Sequence, residues 1–219
     1  MEFQLIPVTS ELHYRLYFKE PFLELYERDR RLFLIRELLK TFAVGIDAFK
    51  YDTGGASSKA IEFFKFYGSI WFNVTIGVEK VEALLQPSPP DELIKQNFSA
   101  IHRIFGSESI FKQEIAMSGH FRVEGGVNSY LETLNPHCPA SFSKFLKSKG
   151  ITYTLDIQEH ELELFITLAR SIFVPDGLYA SLLGVFSSNR YDFLEAHDVL
   201  SKYAEIVIKG TNAQIRKEP

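Results

Sequence analysis

Twice along the chain, long runs of alternating apolar and polar residues feed into an amphipathic helix, and this repeated order restricts the fold more than any other feature. In the first run, Ile61–Tyr67 and Ser69–Leu84 read as strands. Within the second of these, Ile70, Phe72, Val74, Ile76 and Val78 share one face, and Trp71, Asn73, Thr75 and Glu79 share the other. After the break Gln86-Pro87-Ser88-Pro89-Pro90, Asp91 caps a helix that runs to Phe105, with Ile94, Phe98, Ile101 and Phe105 on its apolar stripe and Gly106 closing it. In the second run, Ile151–Ile157 and Glu161–Val174 are strands, Pro175-Asp176-Gly177 is a tight turn, and Leu178–Phe186 returns as the hairpin partner. The helix Asp192–Ile208 follows, with Phe193, Ala196, Leu200, Ala204 and Val207 facing inward and Gly210 stopping it.

Long hairpins that each feed one helix give an α+β fold, an antiparallel sheet of long strands with helices packed on one face. The repeated order divides it into two similar β-β-α halves, about 1–106 and 107–210, without residue-level similarity between them. Only 86–90 resembles a linker, so residues 1–210 are expected as a single domain and 211–219 as a polar C-terminal tail.

The remaining elements fit the same plan. Leu12, Tyr14, Leu16 and Phe18 alternate with His13, Arg15 and Tyr17 as in a half-buried strand. Phe22–Tyr26 continues extended. Arg31–Phe42 reads as a helix with Leu32, Ile35, Leu38, Leu39 and Phe42 on one face. Ala43–Tyr51 reads as a strand, 52–58 as a loop, Ser109–Glu124 as a long strand, and Val127–Leu134 and Ala140–Lys149 as short helices.

Composition narrows the function classes. The 28 acidic and 24 basic residues leave a net charge of −4, which argues against a broad basic surface for nucleic acid. The single cysteine, Cys138, excludes an intramolecular disulfide and a cysteine-based zinc site. No apolar run approaches the roughly 20 residues that a bilayer needs, and Met1–Pro7 lacks the basic-then-apolar order of a secretory signal. The expected setting is therefore cytoplasmic, with no membrane and no nucleic-acid partner. Phe occurs 20 times and aromatic residues make up 14% of the chain. A thick aromatic core is the simplest use of so many rings; a pocket lining or a subunit contact is another.

Motifs with specific chemistry are weak. Asp52-Thr53-Gly54 matches the triplet of aspartic proteases, but Lys50 and Tyr51 stand where that pattern needs apolar residues. Ser57-Ser58-Lys59 lacks the glycine and the following hydroxyl of a phosphate loop. His137 and Cys138 lie together between Pro136 and Pro139, a bracket that suits a structural loop better than a dyad. The six histidines show no metal-binding spacing, and His102 and His197 fall beside apolar stripes as packing residues. No cofactor is implied.

The best polar candidate is the alternation His120, Arg122, Glu124, which places all three side chains on one strand face, with Asn128 and Tyr130 just beyond Gly125-Gly126. An imidazole beside a carboxylate and a guanidinium suits proton transfer or an anionic ligand; a solvated, self-compensated strand face is the plainer reading. Two function classes follow. One is a binding protein that meets another protein, or a second copy as a homodimer, through an aromatic-rich sheet surface that includes Phe63-Phe64-Lys65-Phe66-Tyr67. The other is a small-molecule binder or enzyme for an apolar or anionic ligand, with a Phe/Tyr-lined cavity and His120, Arg122 and Glu124 at its mouth.

Overall fold

The computed structural model describes residues 3–51, 61–105, 110–134 and 150–216. The loop at 52–58, the Ser57-Ser58-Lys59 step, Gly106, the His137-Cys138 pair and the helix expected at Ala140–Lys149 lie outside the described residues. Ten strands and four α-helices are present among those that are described. The strands are β1 (Phe3–Phe18), β2 (Phe49–Tyr51), β3 (Ile61–Tyr67), β4 (Ile70–Ile76), β5 (Lys80–Gln86), β6 (Ile110–Val123), β7 (Gly150–Ile157), β8 (Leu162–Arg170), β9 (Gly177–Phe186) and β10 (Ala213–Ile215). The helices are α1 (Arg28–Phe42), α2 (Asp91–Phe105), α3 (Val127–Leu134) and α4 (Phe193–Gly210).

The hydrogen-bonded order is β2-β3-β4-β5-β1-β6-β9-β8-β7, with β10 attached to β1. That order reads nearly the same from both ends. Each half starts from one long strand (β1 or β6) and follows it with a helix, further outward strands (four in the first half, β2–β5, and three in the second, β7–β9) and a second helix. The α+β class is thus present. In the first half the strand expected at Ser69–Leu84 is two strands, because of the turn at Gly77-Val78-Glu79. These two, β4 and β5, pair antiparallel from Trp71↔Gln86 to Ile76↔Val81. An apolar Val78 in phase with Ile76 hides that turn from the alternation.

The chain forms two compact units. Unit I comprises Glu11–Ile115 and Val185–His197; unit II comprises Met1–Ser10, Ala116–Gly184 and Asp198–Pro219. In unit I, α1 and α2 lie on one face of the β2–β5 sheet. Phe42 of α1 meets Phe63 at 5.3 Å and Phe72 at 5.4 Å, and Phe98 of α2 meets Phe72 at 6.4 Å and Tyr14 at 5.6 Å. The α1 stripe is Leu34, Leu38 and Phe42; Leu32, expected inside, is 43% exposed. The helix begins at Arg28, and Leu23–Leu25 before it is a 3-10 turn rather than an extended segment. Another 3-10 turn, Ile46–Ala48, takes most of the strand expected at Ala43–Tyr51, leaving only β2.

Among the described residues, the sheet interior of unit II is mainly aliphatic. Leu162, Leu164, Ile166 and Leu168 alternate inward along β8, and Leu178 and Leu182 do so on β9. Leu200 of α4 lies over Gly184, where an added Cβ would come within 2.9 Å of the leucine. The strand expected at Glu161–Val174 ends at Arg170, and Ser171 closes the β8–β9 turn by accepting hydrogen bonds from the amides of Phe173 (3.1 Å) and Val174 (2.8 Å). Part of the expected tail is structured: Ala213–Ile215 pairs in parallel with Phe3–Leu5, and Ala213 is buried.

Candidate binding surface

His120 and Arg122 lie on β6 and Glu124 just past its end, and the structure gives each a separate neighbourhood. Ser171 Oγ is 2.9 Å from His120 Nδ1. Because that oxygen already accepts two backbone amides, its proton goes to the imidazole, which leaves the ring proton on Nε2. The His120 ring stands edge-on to Phe173 at 5.0 Å and leans on Tyr179 at 5.1 Å. Arg122 is exposed and has no carboxylate partner among the described residues. Glu124 pairs with Arg216 at 3.4 Å, not with Arg122. Asn128 is exposed. Tyr130 is a core residue, 1% exposed, with its ring on Phe3 at 5.2 Å and its hydroxyl donating to Thr211 Oγ1 at 2.9 Å. His120 therefore braces the β8–β9 turn, whose tip presents Ile172 (88% exposed) and Phe173 (73% exposed).

A denser arrangement lies in unit I, on the sheet face opposite its helices. Cross-strand register builds it. Phe66 stands opposite Trp71 and Trp71 opposite Gln86. One step along, Phe64 stands opposite Asn73, Asn73 opposite Leu84, and Leu84 opposite His13. Phe64 and Phe66 meet edge to face at 5.9 Å, and Phe66 is 63% exposed. The outward residues of three strands thus gather Phe64, Phe66, Trp71 and Leu84 into one apolar corner. The aromatic segment singled out in the sequence is split by its own alternation: Phe63 is core at 0% exposure, while Phe64 and Phe66 belong to this open face.

Toward the other end of the same face the side chains are charged and interlocked. Arg15 donates to Glu82 (2.9 Å) and to Glu114 (3.3 Å). Lys80 holds Glu82 at 3.0 Å and Lys112 holds Glu114 at 2.9 Å. The Tyr17 hydroxyl donates to Glu114 at 3.0 Å beneath the Lys112 ammonium, which lies 3.9 Å from the ring centroid. Burial alone would raise Glu114, but hydrogen bonds from Lys112, Tyr17 and Arg15 outweigh it and hold the carboxyl below its ordinary range. Glu82 is lowered in the same way, its burial outweighed by Lys80 and then Arg15. Tyr17 is pushed up to about 12 by burial and by the adjacent Glu114 charge. These groups stay charged or protonated across neutral pH, so the network is a fixed electrostatic frame rather than a proton-transfer site. Its sequence signal was the alternation His13, Arg15, Tyr17; the partners come from strands remote in sequence, which no local pattern reports.

Beneath β1, on the helix side of unit I, a polar chain crosses the aromatic core. Tyr14, fully buried, lies with its hydroxyl 2.7 Å from His102 Nδ1 and 3.1 Å from Gln113 Oε1, and Gln113 Nε2 donates to the Tyr191 carbonyl at 2.8 Å. Every hydrogen bond is satisfied if His102 donates to Tyr14 and Tyr14 donates to Gln113. Burial pushes His102 below the usual histidine value, partly offset by Asp192 and Glu195. The expectation that His102 and His197 are packing residues is met, at 9% and 7% exposure.

No family model matches this sequence, and no curated protein or solved structure matches it either. Among the described residues no helix is long and apolar enough to cross a membrane, and no three histidine, cysteine or acidic side chains gather in a metal-binding cluster.

Proposed function

We propose that this chain is a binding protein whose open sheet face in unit I takes a protein partner, in the first instance a second copy of the chain. The observation that carries this reading is the register-aligned corner of Phe64, Phe66, Trp71 and Leu84, outward-facing on the side of the sheet away from α1 and α2. Aromatic anchors surrounded by polar and charged groups are the usual composition of a protein contact, with the rings supplying buried area and the rim supplying orientation. The frame of Arg15, Lys80, Glu82, Lys112 and Glu114 serves as that rim, because its ion pairs are already formed before a partner arrives. A preformed rim lowers the cost of ordering side chains on association.

The test is native mass spectrometry and light scattering across a concentration series, on the unaltered chain and on Phe66→Glu. Self-association is expected in the former, with at least a roughly tenfold weakening in the variant, the size of effect expected for an interface anchor. A chain that stays monomeric throughout, or a dimer indifferent to Phe66→Glu, overturns the self-association reading. The alternative small-molecule reading had placed His120, Arg122 and Glu124 at a cavity mouth. Neither the unit I cleft beside Phe22, Phe33 and Arg103 nor the one beside Phe42, Lys65 and Arg103 is lined by any of those three residues.

A further inference from the structure

The end of α1, the last residues of β3 and one side of α2 surround a cavity of about 410 Å3. It lies on the helix side of the unit I sheet, away from the open face. That volume falls near the lower end of the range of roughly 300–1,000 Å3 in which small-molecule sites are found. Two cationic side chains line it, Lys65 and Arg103, and no carboxylate does so among the described residues. In a chain with a net charge of −4 this lining departs from the average surface.

The donors around the cavity are unevenly used. Asn97 is committed: its Oδ1 accepts from the Tyr67 hydroxyl at 2.7 Å and its Nδ2 donates to the Leu93 carbonyl at 2.8 Å, so it shapes the wall. Lys65 gives one hydrogen to the Phe42 carbonyl at 2.6 Å and lies 4.7 Å from the centroid of the Tyr67 ring, which leaves donors to spare. Its ammonium also offsets the carbonyl end of α1, which would otherwise repel an anion. Arg103 is exposed and forms no ion pair among the described residues. Ser99 Oγ is buried with no hydrogen-bond partner there, an unmet polar group in the wall of a cationic cavity.

We infer that this cavity binds a small phosphorylated molecule, its phosphate held between Lys65 and Arg103 with the Ser99 hydroxyl as a further donor. Two cations match the charge of a phosphate monoester, about −1.5 to −2 at neutral pH, better than that of a single carboxylate. A guanidinium fork and an ammonium are the usual pair for such an oxyanion. The Tyr67 ring, Phe42 and Ala100 supply an apolar wall for the rest of the molecule. This site is independent of the protein-contact reading and survives its failure.

The experiment is calorimetric titration of inorganic phosphate, and separately of acetate, at constant ionic strength. Saturable phosphate binding is expected, with acetate at least about tenfold weaker. Arg103→Gln, an exposed position whose replacement leaves the core untouched, is expected to weaken phosphate by about tenfold or more, the scale of one lost charge-assisted contact. Lys209→Gln removes the same charge elsewhere and is expected to bind as the parent does. No saturable phosphate heat, equal binding by Arg103→Gln and the parent, or acetate binding as tight as phosphate each overturns the assignment.

Discussion

The two units both combine antiparallel strands with helices, yet their described residues fill the interiors with different chemistry. Among the described residues, unit I buries Tyr14, Phe18, Phe42, Phe63, Phe72, Phe98, Phe105, Phe186 and Phe193, whereas the buried aromatic residues of unit II are Phe3 and Tyr130. Unit II relies on leucine and isoleucine, and its outer strand β7 is exposed along much of its length, with Tyr153 at 39% and Leu155 at 40%. In unit II, α4 meets the sheet through Leu200 over Gly184, a contact that needs no aromatic residue. What the rings of unit I add is buried area per residue and edge-to-face contacts, as between Phe98 and Phe193 at 5.2 Å. Large rings close a core around a polar chain such as Tyr14–His102–Gln113, because each ring covers area that several aliphatic groups would otherwise share.

That contrast is open to measurement. The largest effect is expected for Phe98→Ala, which removes a fully buried ring touching Tyr14, Phe72 and Phe193 and should cost about 3–5 kcal/mol in urea unfolding. Leu164→Ala in unit II should cost about 2–5 kcal/mol, toward the lower end if β8 relaxes beside the exposed β7. A larger loss at Leu164 than at Phe98 would break the comparison. Gly177→Ala comes next, at about 1–3 kcal/mol, because its Cβ would sit 2.6 Å from Val174 Cβ and 2.9 Å from the Phe121 carbonyl.

Asp192→Ala should cost about 1 kcal/mol. Asp192 Oδ1 accepts from the Glu195 amide at 2.9 Å while Glu195 Oε2 accepts from the Asp192 amide at 3.1 Å, a reciprocal cap on α4. Restoration by Asp192→Asn in thermal unfolding would assign the loss to the cap. The smallest effect is acid sensitivity. Burial keeps His102 below its unfolded value of 6.5, so the unfolded chain binds the proton more readily. Its contribution is complete above pH 6.5 and declines as pH falls from there through the folded value. The unfolding midpoint should drop over that window, and His102→Gln should flatten the drop; an unchanged profile would mean His102 carries no share of it.

Much of this architecture was legible in the residues themselves. The alternations of β3, β8 and β9, the Asp starts of α2 and α4, and the burial of His102 and His197 all follow from local period and capping. Other elements were not. Along β1 the buried positions change from odd (Phe3, Leu5) to even (Leu12, Tyr14, Leu16, Phe18), so no single period spans the strand and its first half escaped notice. Strand β10 is too short and polar to announce itself, and it exists because β1 offers it a partner. The rotation of α1, which places Leu34 inside and Leu32 outside, was set by where Phe63 and Phe72 stand on the sheet.

The candidate sites divide along the same line. The sequence placed His120, Arg122 and Glu124 on one face, since two residues along a strand always share a side. It also paired them with Asn128 and Tyr130, and there tertiary packing decided otherwise: Tyr130 went to the core with Phe3 and Thr211, and Glu124 went to Arg216. The open-face corner of Phe64, Phe66, Trp71 and Leu84 required the registers of three strands, and the cationic cavity required α1, α2 and β3 to converge. Local sequence determines period, caps and turns because those depend on neighbours within a few bonds. Which side chains meet across strands and helices depends on packing among residues far apart in the chain, and only the folded molecule settles it.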